Sequence, residues 1–209
     1  MRAFWVATII ILLSIQGDCQ ILNKEILTKN ETQNGVFLKF SYSAKNSYGV
    51  VRLILKKNNT YYYSVNTCAT HGVSEGKWRM FKDVLILESA LQMDNIAAKI
   101  SYDESGRFID SFDIAVVKNV KNELLTEAFV LINNDSIKCL PMIGRYNGSF
   151  DRINRVKIVF ENGMSSKWIV VKKGTKKVLL TILTDAIIDN YIVLNKLKFK
   201  LRGDFLIQQ

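Results

Sequence analysis

Short segments in which apolar and polar residues alternate make up most of this chain, and turn-forming residues separate them about every ten positions. Successive side chains of a strand point to opposite faces of a sheet, so one face of each segment is apolar and can be buried. Hydrophobic residues make up 48% of the chain, which is enough to build a core. We therefore predict an all-β fold of antiparallel hairpins with little helix.

Four hairpins have short, polar turns between their strands. They pair residues 51–55 with 61–65, 78–81 with 84–87, 155–160 with 167–171, and 196–201 with 205–208. Two further pairings, of 96–102 with 107–117 and of 167–171 with 178–183, follow from the same pattern. Residues 89–94 and 120–128 are compatible with short helices or with plain connections.

The first nineteen residues have the pattern of an export signal. Met1-Arg2 supplies a positive start, residues 3–15 are apolar and uncharged, and Gln16 to Cys19 form a polar exit. A bilayer-spanning helix needs about 20 apolar residues, so this run is too short to cross a membrane. We expect a mature protein that starts near Gln20, is secreted or periplasmic, and has no transmembrane segment after cleavage. A lipid anchor on Cys19 is the alternative, and Asp18 fits it poorly.

The remaining chain divides into three regions. We predict an N-terminal hairpin region at 20–95, a β-sandwich at 96–184, and a C-terminal hairpin at 185–209 that returns to the N-terminal sheet. No Ser/Gly-rich linker separates them, so the regions are expected to pack against each other. Residues 76–87 and 196–207 have a similar order of strand, charged turn and apolar strand, which hairpin chemistry explains as well as duplication does.

Two stretches resemble known proteins. Gly76-x-Trp78, followed by Asp83-x-Leu85-x-Leu87, resembles a hairpin of small secreted bacterial proteins of unknown function. Residues 99–107 look like the opening of a carboxypeptidase-regulatory-like domain. Three later stretches are similar to the closing strands of that domain, at 155–160, 166–171 and 177–182. The resemblance covers 96–184 and implies a transthyretin-like β-sandwich without catalytic residues.

Basic residues are the strongest candidates for a binding site, in a chain of formal net charge +10. Four of them alternate with apolar residues in one predicted strand, and two more lie in an earlier turn. They are Lys196, Lys198, Lys200 and Arg202, and then Lys172 and Lys173. Such a row suits an anionic partner, namely an acidic glycan, a lipid headgroup or a nucleic acid, and an envelope protein is a further option. Lysines on an edge strand also block edge-to-edge pairing, which is an equally simple explanation. Tyr61, Tyr62, Tyr63 and Trp78 would add a stacking surface, although alternate tyrosines must face inward.

Signals for catalysis are weaker. Cys68 and His71 are three residues apart, and a nucleophile and its base must come within hydrogen-bond reach. Four carboxylates, Asp103, Glu104, Asp110 and Asp113, raise the question of glycoside hydrolysis, but turn chemistry explains the first two. No metal ligand set or cofactor motif is recognised, so no cofactor is predicted.

Cys68 and Cys139 form an even pair in an oxidising compartment. They allow one disulfide bond, and two buried free thiols are the alternative. Together these patterns predict a non-enzymatic binding or structural protein of the cell envelope or exterior. The rival hypotheses are a hydrolase built on Cys68/His71 or the acidic turns, and a β-barrel carrier of a small apolar ligand.

Overall fold

The computed structural model describes residues 20–43, 49–69, 71–102, 114–134, 136, 138–139 and 152–209. The predicted export signal lies outside the described residues. The four carboxylates considered for glycoside hydrolysis, Asp103, Glu104, Asp110 and Asp113, lie outside them as well.

Eight antiparallel strands from both ends of the chain close into a barrel. They are β1 (Ile21–Lys24), β2 (Val36–Ser43), β3 (Val50–Lys56), β4 (Thr60–Asn66), β5 (His71–Phe81), β6 (Val84–Ser89), β14 (Leu197–Arg202) and β15 (Phe205–Gln208). Around the barrel they run β1-β15-β14-β6-β5-β4-β3-β2, and β2 pairs with β1 to close it. The C-terminal hairpin thus returns to the N-terminal sheet as predicted, with β14 against β6 and β15 against β1.

Side chains of the strands themselves fill the barrel. Phe40, Leu53, Leu85, Phe199 and Leu206 point inward and are at most 1% exposed. An eight-stranded barrel is just wide enough for its own side chains to occupy the interior. The interior is therefore a hydrophobic core, and the structure gives the carrier hypothesis no support from an internal cavity of the described barrel.

The middle of the chain forms two smaller sheets. Their strands are β7 (Ala98–Ser101), β8 (Ala115–Lys118), β9 (Ala128–Ile132), β10 (Lys138–Cys139), β11 (Arg155–Phe160), β12 (Ile169–Val170) and β13 (Val178–Ile182). One sheet has the order β10-β9-β11-β12 and the other β7-β13-β8. Buried residues of both sheets, including Val130, Ile158 and Leu180, belong to one hydrophobic cluster.

The prediction of an all-β protein with little helix is confirmed. All four short-turn hairpins are present, as β3–β4, β5–β6, β11–β12 and β14–β15. The other two pairings are wrong, because β13 lies between β7 and β8, antiparallel to the first and parallel to the second. A parallel pair needs a long crossover connection, and a local turn pattern contains no sign of it.

Helix is confined to one short element, α1 (Lys29–Gln33), within the described residues. Thr28 and Glu31 form a capping box at its start. The described parts of 89–94 and 120–128 form turns and connections. None of the helical structure described is long and apolar enough to cross a bilayer.

The two halves of the molecule are joined by hydrogen bonds along the start of β5. Val73 donates its amide to the Asn190 carbonyl at 2.8 Å and accepts the Ile192 amide at 2.7 Å. The Tyr191 hydroxyl donates to the Glu75 carbonyl at 2.7 Å. These bonds fix the middle sheets against one side of the barrel.

Gly76 permits the close approach of β5 and β6. A Cβ atom at this position would lie 2.1 Å from the carbonyl oxygen of Glu88, a backbone atom that cannot rotate away. The glycine of the Gly76-x-Trp78 motif is therefore required by the barrel wall.

We expect Gly76→Ala to lower the free energy of unfolding by about 3 kcal/mol, since the added methyl group forces two paired strands apart. Gly174→Ala is the matched control. That position has open space and a positive φ of 84°, so only the backbone conformation penalises alanine there, by about 1 kcal/mol. Chemical denaturation of both variants measures the difference, and an equal loss would contradict the steric explanation.

A small ion-pair cluster fixes the segment around α1. The Lys39 ammonium lies 2.8 Å from a carboxylate oxygen of Glu25 and 2.9 Å from one of Glu31. Hydrogen bonds from Lys39, and then from Thr28, lower the pKa of Glu31 to about 2.

Because the folded-state pKa of Glu31 lies below its ordinary value of 4.5, its contribution to stability is present above that value. It is lost as the pH falls from about 4.5 towards about 2. In the Lys39→Gln variant we expect the pKa of Glu31 to rise towards its ordinary value. Carboxyl NMR titration of the two proteins measures the change, and an unchanged Glu31 pKa in the variant would refute the role of Lys39.

Candidate anion-binding face of the barrel

The basic strand predicted from the sequence is β14, and its side chains alternate as expected. Phe199 points into the core and is fully buried, while Lys198, Lys200 and Arg202 lie on the outer face. Lys196 precedes the strand, is exposed, and has a φ of 55°.

The explanation that these lysines protect an edge strand is wrong. β14 forms hydrogen-bonded ladders with β6 on one side and with β15 on the other. A strand inside a closed barrel has no free edge to protect. The outward row of positive charge therefore needs another explanation.

A fourth basic residue joins this row from a different hairpin. Ile86 on β6 lies opposite Lys198 on one side and opposite Arg79 on the other. Directly opposite residues of an antiparallel pair have Cβ atoms about 5 Å apart, so Arg79 and Lys198 lie about 10 Å apart on one face. We call the outward side chains of Arg79, Lys198, Lys200 and Arg202 the basic face.

The sequence analysis missed Arg79. Its outward direction follows from the alternation of β5, in which Arg79 shares a face with Lys77 and Phe81. Its position beside Lys198 depends on the β6–β14 pairing, and 110 residues lie between Ile86 and the start of β14 at Leu197.

Most charges of the basic face have no carboxylate partner. Lys200 forms an ion pair with Asp83 at 3.5 Å. Arg79, Lys198 and Arg202 form no ion pair with any described residue, and all three are exposed. The face thus presents uncompensated positive charge to solvent.

The structure separates Lys172 and Lys173 from this face. Both are exposed in the connection between β12 and β13, in the middle half of the chain. The Lys172 amide donates to the Tyr102 hydroxyl oxygen at 2.9 Å, which attaches the connection to the segment after β7. The two lysines therefore provide a natural control for charge outside the basic face.

The predicted stacking surface is mostly taken up by packing. Tyr61 and Tyr63 point into the barrel, and burial raises the pKa of Tyr61 to about 12. Trp78 is stacked on Phe37 with ring centroids 5.6 Å apart, and its indole nitrogen donates to the Lys56 carbonyl. Of the predicted set, Tyr62 alone lies on the outer surface of β4.

The structure does not pair Cys68 with His71. The Nδ1 atom of His71 is hydrogen bonded to the side-chain oxygen of Asn66, and no hydrogen bond between the described Cys68 and His71 is present. His71 instead lines a groove of about 500 Å³ with Tyr62, Glu75 and Asp185, between β5 and the segment after β13. No cluster of three or more His, Cys, Asp or Glu in the described part of the chain could hold a metal ion.

Cys68 and Cys139 are free thiols in different parts of the structure. Cys68 is exposed after β4, whereas Cys139 is buried in β10. Burial raises the pKa of the Cys139 thiol to about 12, so it is almost entirely protonated at neutral pH.

We expect Cys68 to react with Ellman's reagent in the native protein, and Cys139 to react only after unfolding. Cys68→Ser should remove one fast-reacting thiol at about pH 8, whereas Cys139→Ser should leave that fast phase unchanged. If neither substitution changes the thiol count and the mass shows two fewer hydrogens, the predicted disulfide is formed instead.

Comparison with known protein families, with curated proteins and with solved structures gave no match to this chain.

Proposed function

We propose that this protein is a non-enzymatic binding module that acts outside the cytosol and takes an anionic ligand on the basic face. The observation that carries the proposal is the convergence of Arg79 with Lys198, Lys200 and Arg202, from two hairpins that are distant in sequence. Protection of a strand edge no longer explains these charges. Attraction of a negatively charged partner does.

Several weak contacts would have to act together. One exposed ion pair contributes about 0.2–1 kcal/mol, so a single lysine binds nothing firmly. Four basic groups spread over three neighbouring strands match a ligand that repeats its negative charge. Such binding weakens with salt, because exposed charges are screened over about 10 Å at moderate ionic strength.

The export signal and the likeness to carboxypeptidase-regulatory-like domains are parts of the same proposal. The described middle of the chain supports the likeness at a coarse level, since two small sheets bury one common core. An adhesion or accessory module of that kind needs a binding surface rather than a reactive centre, and the basic face is such a surface.

Retention on immobilised heparin tests the proposal. We expect the Arg79→Gln/Lys198→Gln double variant to elute at lower salt than the wild type and to bind about tenfold more weakly, because two contacts are lost. The matched control is Lys172→Gln/Lys173→Gln, which removes the same charge from the middle half of the chain.

The control pair should elute close to the wild type. If both pairs shift the elution equally, retention reflects net charge alone and the basic face is not a site. If neither pair shifts it, the proposal fails.

A further inference from the structure

The outer surface around the basic face is unusually apolar for a barrel wall. β6 and β15 carry apolar residues on both faces, so that Val84, Ile86 and Ile207 point outward while Leu85 and Leu206 fill the core. A strand that is solvated on one side normally alternates apolar with polar residues. Apolar runs of this kind are typical of strands covered on both faces.

The register places these apolar residues in one continuous row. Across five neighbouring strands, Phe81 lies opposite Val84, Val84 opposite Lys200, Lys200 opposite Ile207, and Ile207 opposite Ile21. The row therefore crosses the barrel wall from β5 to β1 with a lysine at its centre.

Two phenylalanines project from this surface at the same end of the barrel. Phe81 is 68% exposed and precedes the β5–β6 turn, and Phe205 is 48% exposed and follows the β14–β15 turn. Arg202 lies opposite Phe205, and the Lys82 ammonium lies 5.8 Å from the centre of the Phe81 ring. Each exposed ring thus has a basic side chain beside it.

The carboxylates near the two rings are paired. Asp83 lies 3.5 Å from the Lys200 ammonium, and Asp204 lies 3.4 Å from that of Lys24. Their negative charge is therefore largely offset, which leaves Lys82, Arg79, Lys198 and Arg202 to set the local potential.

We infer that the anionic ligand is a membrane surface, into which Phe81 and Phe205 insert while the basic face contacts lipid phosphates. The inference rests on the proposed function and adds the partner to it. A basic side chain near an anionic bilayer is attracted, and an aromatic ring gains free energy by leaving water for the acyl boundary. A hydrated polysaccharide offers no apolar phase for the rings, and the tyrosines and tryptophan that would stack on sugars are mostly packed inside.

Vesicle co-sedimentation with the full chain tests the insertion. We expect binding to vesicles of phosphatidylcholine with one quarter phosphatidylglycerol, and far weaker binding to phosphatidylcholine alone. Phe81→Ser/Phe205→Ser should weaken binding to the anionic vesicles about thirtyfold, as expected when two half-inserted rings are lost. The matched control is Val170→Ser/Ile187→Ser, which removes two exposed apolar side chains from the middle half.

Contact with lipid is measured directly by tryptophan quenching. In Phe81→Trp the new indole should be quenched by brominated lipid, relative to the wild type, and in Ile187→Trp it should not. Circular dichroism and thermal melting check that every variant folds, which we expect because the changed side chains lie on the surface. An unquenched indole at position 81 in vesicle-bound protein overturns the inference, as does equal binding to both kinds of vesicle.

Heparin retention of the phenylalanine pair separates the two claims. If Arg79→Gln/Lys198→Gln lowers retention but Phe81→Ser/Phe205→Ser leaves vesicle binding unchanged, the basic face stands and its ligand is a soluble polyanion, so the membrane inference is wrong. If the charge variant changes neither retention nor vesicle binding, the proposed function has failed as well.

Discussion

Two long-range strand pairings, β6 with β14 and β15 with β1, close the barrel, and the rest of the molecule is arranged around them. They satisfy the backbone groups of both sheet edges and seal a core that includes Leu22, Phe199 and Leu206. Their register also decides which side chains meet water. A slip of one residue in β14 would turn Phe199 outward and drive lysines into the core, so burial of the core and exposure of the basic face are consequences of the same pairing.

The middle sheets are inserted between two strands that are neighbours in the barrel. The insertion leaves at Ser89 and returns at Leu194, where the Ser89 amide donates to the Leu194 carbonyl and the Leu194 amide donates to the Ser89 hydroxyl oxygen. Tyr191 adds a second connection, since its hydroxyl accepts the Leu91 amide and donates to the Glu75 carbonyl. The barrel can therefore close as if the inserted residues were a single loop.

Local chemistry determined what the sequence could predict. Turns such as Lys82-Asp83 and Gly203-Asp204 lie between alternating segments, so their hairpins and the outward direction of Lys198 followed from the chain alone. Arg79 was missed and β13 was paired wrongly for one reason, namely that both depend on contacts between distant segments. The interpretation of β14 as an edge strand failed in the same way, because alternation shows that a strand exists but does not give the number of its neighbours.

The order of strands along the chain has a consequence for biogenesis. The last strands to be synthesised, β14 and β15, are the ones that cover β6 and β1, so a nascent chain exposes two bare ladders until its final residues emerge. Such ladders are templates for association with other chains. Premature termination near the C-terminus would therefore be more damaging than its length suggests, and a chaperone that shields β6 during synthesis would have the greatest effect on yield.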